Sequence, residues 1–298
     1  MRIGFAVPQS GAWATPEAMR AVATRAERLG YHELWTFQRL LYPVGHPMGP
    51  VYRSVHDPLI TLSFLAGITG RIRLGVAVVN AFVQPVVLAK QLATLQTVSG
   101  GRLTAGLGLG WVAEEFEATG VDAGRRGARG EEFVEVLRTM WADEVVEHRG
   151  EFYRIPPSYA EPKPSPAPPP ILLGGTADVA LRRAGRIADG WVSASREDLT
   201  GIAARIALVK QAAEEAGRDP ASLRFVCRGV TRVRREPGER RPLTGTVEQI
   251  KEDVSWLAEQ GVTDLFHDLN FDPAVVTADP AGALRQAEEV LEALAPAG

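Results

Sequence analysis

Two glycine turns carry the residues best suited to chemistry in this chain of 298 residues. The first lies within Ser99 to Gly120 (SGGRLTAGLGLGWVAEEFEATG), where an apolar run ends in Gly106, Gly108 and Gly110 and continues into Trp111, Glu114 and Glu115. Glycines at a strand end let a ligand approach the backbone, because no Cβ stands in the way. The second, Leu172-Leu173-Gly174-Gly175-Thr176, closes another apolar run just before a helical pattern. Backbone N–H groups at that helix start, with the Thr176 hydroxyl, can cradle an anion. Either turn is also open to a plainer reading, a tight connection with no ligand.

Proton-handling side chains gather elsewhere. Tyr42 and His46 sit on a long loop, LLYPVGHPMGPVYRSVH, and His267 and Asp268 follow the last apolar run. Loops of that length inside a compact domain are uncommon and usually functional. Arg39, just before the loop, can grip an anionic or carbonyl group with two parallel hydrogen bonds, or form a salt bridge across a rim. Trp13, Trp111 and Trp191 are candidates for the walls of a substrate pocket. The usual motifs for phosphate loops (GxxxxGK), zinc proteases (HExxH) and hydrolase elbows (GxSxG) are absent. The five histidines have no metal-ligand spacing, so no metal is expected. By elimination, a bound organic cofactor would supply the chemistry.

The elements that position these residues alternate. Near-continuous apolar runs at Ile3 to Val7, His32 to Phe37, Ile72 to Val78 and Arg102 to Leu109 read as buried strands, as do Ile171 to Leu173, Gly190 to Ser193, Leu223 to Val230 and Thr263 to His267. Helical patterns separate them, with Thr15-Pro16, Asp57-Pro58 and Asp279-Pro280 as start signals and a capping-box spacing at Thr246 and Gln249. Eight strand–helix units in roughly 250 residues predict one (β/α)8 TIM barrel with insertions. Strand ends would then share one active face, so both glycine turns would open into one mouth. A doubly wound sheet is the competing fold, but the glycines are spaced G-x-G-x-G rather than GxGxxG. Residues 151 to 170, with PPSYAEPKPSPAPPP, read as an extended surface connection without regular structure.

Composition excludes several classes. Lys and Arg total 33 against 36 Asp and Glu, a net charge of -3 that offers no general attraction to nucleic acid. The arginines of Gly124 to Gly130 (GRRGARG) are a local anion site or solvated helix surface. A lone cysteine, Cys227 in an apolar run, is read as buried and inert, in a reducing compartment. No apolar run approaches the ~20 residues of a membrane span, and no signal peptide is evident, so a cytoplasmic location is expected. The expected partner is a small-molecule substrate, with a homodimer left open.

At this point a resemblance emerges. DPLITLSFLAGITGRIRLGVAVV, followed by PVVLAKQLATLQTVSGGRLTAGLGLGWVAEEFEATG, resembles the luciferase-like monooxygenase superfamily, as do PPPILLGGTADVALRRAGRIADGW and GTVEQIKEDVSWLAEQGVTDLF. The long second loop and the GW-x-x-EEF turn look closest to its branch using the deazaflavin coenzyme F420. The resemblance implies a (β/α)8 barrel that binds F420 or FMN in its mouth. The ring would rest near Ala77 and Val78, where relatives have a bulge formed by a non-prolyl cis peptide, with Gln38, Arg39 and Asn80 beside it. The tail phosphate would lie by Gly108, Gly110 and Glu114, or by Gly174, Gly175 and Thr176. The second turn is favoured, because Glu114 and Glu115 would repel an anion at the first. Relatives that oxidise sugar phosphates have a histidine after the second strand and an acid after the glycine turn; Arg39 and Trp111 stand here instead. The resemblance therefore implies an F420-dependent oxidoreductase of another kind, with Arg39, His46 and His267 as catalytic candidates and Asp268 in the pocket. An FMN-dependent monooxygenase and a non-catalytic cofactor-binding barrel are the alternatives.

Overall fold

Twelve strands form in the computed structural model, which describes residues 1–236, 238 and 240–296. In chain order they are β1 (Arg2–Ala6), β2 (Glu33–Thr36), β3 (Arg73–Asn80), β4 (Leu103–Gly108), β5 (Val145–Arg149) and β6 (Arg154–Tyr159). There follow β7 (Ile171–Gly174), β8 (Gly190–Val192), β9 (Arg224–Val230), β10 (Arg232–Val233), β11 (Thr244–Gly245) and β12 (Asp264–Asp268). The eight predicted apolar runs are β1–β4, β7–β9 and β12. They close into one all-parallel barrel in chain order, with β12 returning to pair with β1. Helices between them cover the outer face, as parallel strands buried on both sides require. The helix starts follow local chemistry. Thr15, Asp57 and Asp279 accept hydrogen bonds from the backbone N–H groups of Ala18, Ile60 and Gly282, and Thr246 and Gln249 form a reciprocal capping box.

Strand alternation splits the buried residues into two sets. Phe5, Leu34, Leu74, Leu103, Phe225 and Leu265 point outward into the main core under the helices. Their neighbours Ala6, Trp35, Leu172, Val192, Val226 and Phe266 fill the barrel. Trp35 stacks on Phe266 with ring centroids 5.0 Å apart and 14° between planes. Gly75 makes room for that indole: a Cβ there would lie 2.6 Å from Trp35 Cε3. Below this layer, at the N-terminal end, Arg224 donates to Glu33 at 2.7 Å, Asp264 at 2.8 Å and Thr104 at 3.0 Å. Arg2 reaches the other oxygen of Asp264 at 2.7 Å.

The proline-rich stretch departs from expectation. Residues 154–159, within the segment read as irregular, form β6 and pair antiparallel with β5. Proline is tolerated on the edge of a two-stranded sheet, and the register shifts between Val146 and His148, opposite Pro156 and Pro157. No helix among the described residues is long and apolar enough to cross a membrane. Cys227 is buried on the outer face of β9, and burial pushes its thiol up to about 12.

Candidate active site

The floor of the C-terminal mouth is set by β3. Its Ala77–Val78 peptide is cis, and the pairing with β4 shifts between Val76 and Val79. Ala77 and Val78 thus both border the interior layer of Trp35 and Phe266. The neighbouring strand ends are glycines because side chains would collide there. A Cβ at Gly108 would lie 2.5 Å from both Val78 Cγ2 and Asn80 Oδ1, and one at Gly174 would lie 3.1 Å from Val78 Cγ1. A flat shelf results, bounded by Val78, Gly108 and Gly174.

Gln38 and Asn80 edge this shelf and orient each other. Gln38 Oε1 accepts from the Asn80 backbone N–H at 2.8 Å, and Asn80 Oδ1 accepts from Gly110 N–H at 3.1 Å. Both carbonyl oxygens are therefore engaged. Among the described residues, the amide donors Gln38 Nε2 and Asn80 Nδ2 find no protein acceptor. Gly110 has φ 77°, which favours glycine, and a Cβ there would also meet Phe82 and Phe116.

Arg39 makes the rim salt bridge. Its Nη1 donates to Glu115 Oε2 at 2.6 Å, and both side chains are buried. Glu115 Oε1 also accepts from Leu40 and Leu41 N–H at 2.8 and 3.2 Å. The guanidinium lies over Tyr52 and Trp111, 5.1 and 4.9 Å from their ring centroids, while Arg39 Nε has no partner. Glu115 therefore does not repel an anion at the first turn, since Arg39 neutralises it; Glu114 is exposed.

The long loop returns over the mouth as an aromatic cap of Phe37, Met48, Tyr52 and Val112, with Tyr42 and Phe271 packed on it. Tyr42 donates to Met48 O at 2.9 Å, and Tyr52 OH lies 3.3 Å from Ser195 Oγ on the loop after β8. His46 is half-buried, edge-on to Trp111 at 6.0 Å. Its Nδ1 accepts from Met48 N–H at 3.1 Å, which places the neutral ring's proton on Nε2. Gln9, fully buried, fixes this cap by bonding both Phe37 N and O and the His56 carbonyl.

Three predicted residues do not reach the mouth. His267 points outward from β12, on the face of Leu265, and its Nδ1 meets Thr231 Oγ1 at 2.9 Å. The period of two in a strand sends it away from Phe266 and Asp268. Trp191 likewise points outward from β8; its Nε1 donates to Gly175 O at 2.9 Å, supporting the glycine turn from behind. Trp13 is buried in the main core. Trp111, by contrast, is 53% exposed at the rim. Asp268 faces the mouth but is saturated: it accepts from Arg228 Nε at 2.8 Å and from Asn270 N and Nδ2 at 3.0 Å.

Arg228 was not among the predicted residues. It donates from Nη1 to the Ala77 carbonyl at 3.1 Å and is sandwiched between Phe37 and Phe271, 4.6 and 4.7 Å from their centroids. A charged residue inside the apolar run FVCRGV was its signal in the sequence. At the second turn, Gly174 and Gly175 are half-buried and Thr176 is exposed, before a helix at Asp178–Ile187 whose start has no side-chain cap. At the other end of the barrel, His32, Glu33 and Asp264 lie within metal-ligating reach of one another, but Arg2 and Arg224 already hold the carboxylates.

Known proteins agree with this architecture. The family described as Luciferase-like monooxygenase matches residues 2–264. An uncharacterised protein of Mycobacterium tuberculosis is 32% identical over 74% of this chain and 80% of its own. An FMNH2-dependent dimethylsulfone monooxygenase of Pseudomonas putida is 30% identical over 63% of this chain and 51% of its own. The fold matches the monooxygenase RslO1 from Streptomyces bottropensis with a TM-score of 0.80 at 22% identity, over 99% of this chain and 98% of that one. It also matches an F420-dependent secondary alcohol dehydrogenase with a TM-score of 0.79 at 16% identity, over 98% of both chains. The family match spans seven of the eight barrel strands and reaches the first residue of β12, so the chain belongs to the luciferase-like monooxygenase family.

Proposed function

We propose that this protein is an oxidoreductase that moves a hydride between the deazaflavin coenzyme F420 and a small to mid-sized organic substrate. The observation that carries the reading is the shelf at Ala77–Val78, with Gln38 Nε2 and Asn80 Nδ2 unpartnered at its edge. A fused ring fits a floor kept flat by glycines, and its carbonyl edge would accept from those two amides. When bound, the deazaflavin supplies the hydride-carrying carbon, and the protein supplies alignment and a dry site. The half-buried Gly174 and Gly175 and the uncapped helix start beyond Thr176 suit the cofactor's phosphate. Phe37, Tyr52 and Phe271 exclude water from above. His46 Nε2 is the proton donor in this reading, because Nδ1 is engaged by Met48 N–H and the imidazole stands at the rim. Arg39 and Arg228 position the rim and the floor through Glu115 and Ala77 O.

The shelf itself suits FMN equally, and the 30% identity to an FMNH2-dependent monooxygenase favours that second reading. Fluorescence titration of the purified protein with F420 and with FMN separates the two. Saturable quenching by F420, weakened by Gly108→Ala through its clash with Val78 and Asn80, is the expected result. Tight FMN binding without F420 binding would overturn it.

A further inference from the structure

Arg39 uses its guanidinium differently from Arg224 and Arg228. In this rigid, planar group, Nε–H and one Nη–H lie parallel along one edge, the geometry that grips acceptor sites most firmly. Arg224 turns that edge to Asp264, with Nη2 2.8 Å from one oxygen and Nε 3.5 Å from the other. Arg228 turns it to Asp268, where Nε and Nη2 both lie 2.8 Å from Oδ2. Arg39 leaves it unused. Its one side-chain hydrogen bond among the described residues runs from Nη1 to Glu115 Oε2 at 2.6 Å. Nε is shielded from solvent without an acceptor, and Nη2 has no protein acceptor among the described residues.

The empty edge is held in place. The Arg39 side chain is 4% exposed, flanked by the rings of Tyr52 and Trp111 and anchored on Glu115, whose other oxygen is fixed by Leu40 and Leu41 N–H. It belongs to the mouth: Gln38, the preceding residue, edges the shelf, and Tyr52 is part of the cap above it. A donor kept from water without an acceptor is costly, and an acceptor carried by a ligand removes that cost. Trp111 is the open side of the stack, since it is exposed and its indole makes no hydrogen bond among the described residues.

Charge decides which acceptor suits this edge. A ligand carboxylate would share Arg39 with the buried Glu115 carboxylate, and like charges in such a site are poorly screened. Arg228, the other guanidinium of the mouth, is already matched by Asp268 and offers no relief. A neutral carbonyl oxygen presents two lone pairs to the two donors and adds no second negative charge. The flanking aromatic rings favour a flat carrier for it. We propose that the Arg39 Nε–Nη2 edge is the point at which the substrate is recognised, and that it selects a neutral carbonyl compound over the matching carboxylate. That this compound is the substrate rests on the oxidoreductase reading; the acceptor site does not.

The test uses three probes of similar shape: acetophenone, benzoate and ethylbenzene, carrying a carbonyl, a carboxylate and neither. The full chain is labelled with nitrogen-15, and the Arg39 Nε–H resonance is identified by its loss in Arg39→Lys. Acetophenone is expected to shift that resonance saturably, benzoate to bind about tenfold or more weakly, and ethylbenzene to leave it in place. Arg39→Lys keeps a cation for Glu115 but lacks the parallel edge, so acetophenone affinity, read by saturation transfer to the probe, should fall about tenfold or more. Glu115→Gln removes the competing charge and should raise benzoate to at least the affinity of acetophenone. A resonance unmoved by acetophenone, equal binding of benzoate by the unaltered chain, or undiminished acetophenone binding by Arg39→Lys would each overturn the proposal. Failure of both F420 and FMN to bind would instead sink the oxidoreductase reading and leave the probe titrations as they stand.

Discussion

The two ends of the barrel interior use the same residue types differently. At the N-terminal end, Arg224 bridges Glu33, Asp264 and Thr104, and Arg2 shares Asp264 with it. Asp264 serves both arginines, Arg73 lies 3.9 Å from the second oxygen of Glu33, and the network closes the barrel. At the C-terminal end the pairs are one to one, Arg39 with Glu115 and Arg228 with Asp268. The guanidinium faces lie on aromatic rings, Arg39 on Tyr52 and Trp111, Arg228 on Phe37 and Phe271. A shared network is a structural plug. Single pairs on rings leave the side-chain amide donors of Gln38 and Asn80 without a protein acceptor among the described residues. Strand β12 spans the contrast by itself, sending Asp264 to one end, Asp268 to the other and His267 outward.

Breaking the plug should have the largest effect. Arg224→Met takes the hydrogen-bonded cation from buried Glu33 and leaves Asp264 with Arg2 alone, and removing one partner of a buried ion pair costs about 3–5 kcal/mol. Chemical unfolding should record that loss, with cofactor affinity of the remaining folded protein unchanged. A fall in affinity without a fall in stability would mean that the two ends are not separate in role.

The outward face of β12 gives the next largest effect. Burial lowers the His267 imidazole to about 4, below its ordinary value near 6.5. As pH falls, the unfolded chain binds this proton first. Stability is therefore fully present above about pH 6.5 and is lost towards pH 4, by about 3 kcal/mol from this group. His267→Gln should flatten that part of the stability–pH curve and leave the pH profile of turnover unmoved. A shifted turnover profile would return His267 to the reaction.

Glu115→Gln should give the smallest loss of stability and the most local consequence. The amide oxygen can still accept from Leu40 and Leu41 N–H, but Arg39 loses its counter-charge, at a cost of about 1–3 kcal/mol. Cofactor titration should weaken, because the rim between the first glycine turn and the long loop loosens. Unchanged affinity would make the Arg39–Glu115 pair purely structural, like the plug.

The sequence by itself determined the barrel. Eight apolar runs, each followed by a helical pattern, admit few other arrangements, because parallel strands buried on both faces need helices between them. It also determined the glycine shelf, since Gly108 and Gly174 stand where a Cβ would strike Val78, and the resemblance marked Ala77 and Val78. Only the tertiary structure decided which polar residues face the mouth. His267 and Asp268 are adjacent in sequence yet lie on opposite faces, and one step of strand phase separates them. Trp13 and Trp191 are aromatic like Trp111, but packing buries the first two and leaves the third at the rim. Arg39 and Glu115 are far apart in the chain, as are Arg228 and Ala77, and no local pattern encodes such pairings. They arise because barrel closure brings the ends of distant strands into one ring, where each buried charge must find its partner.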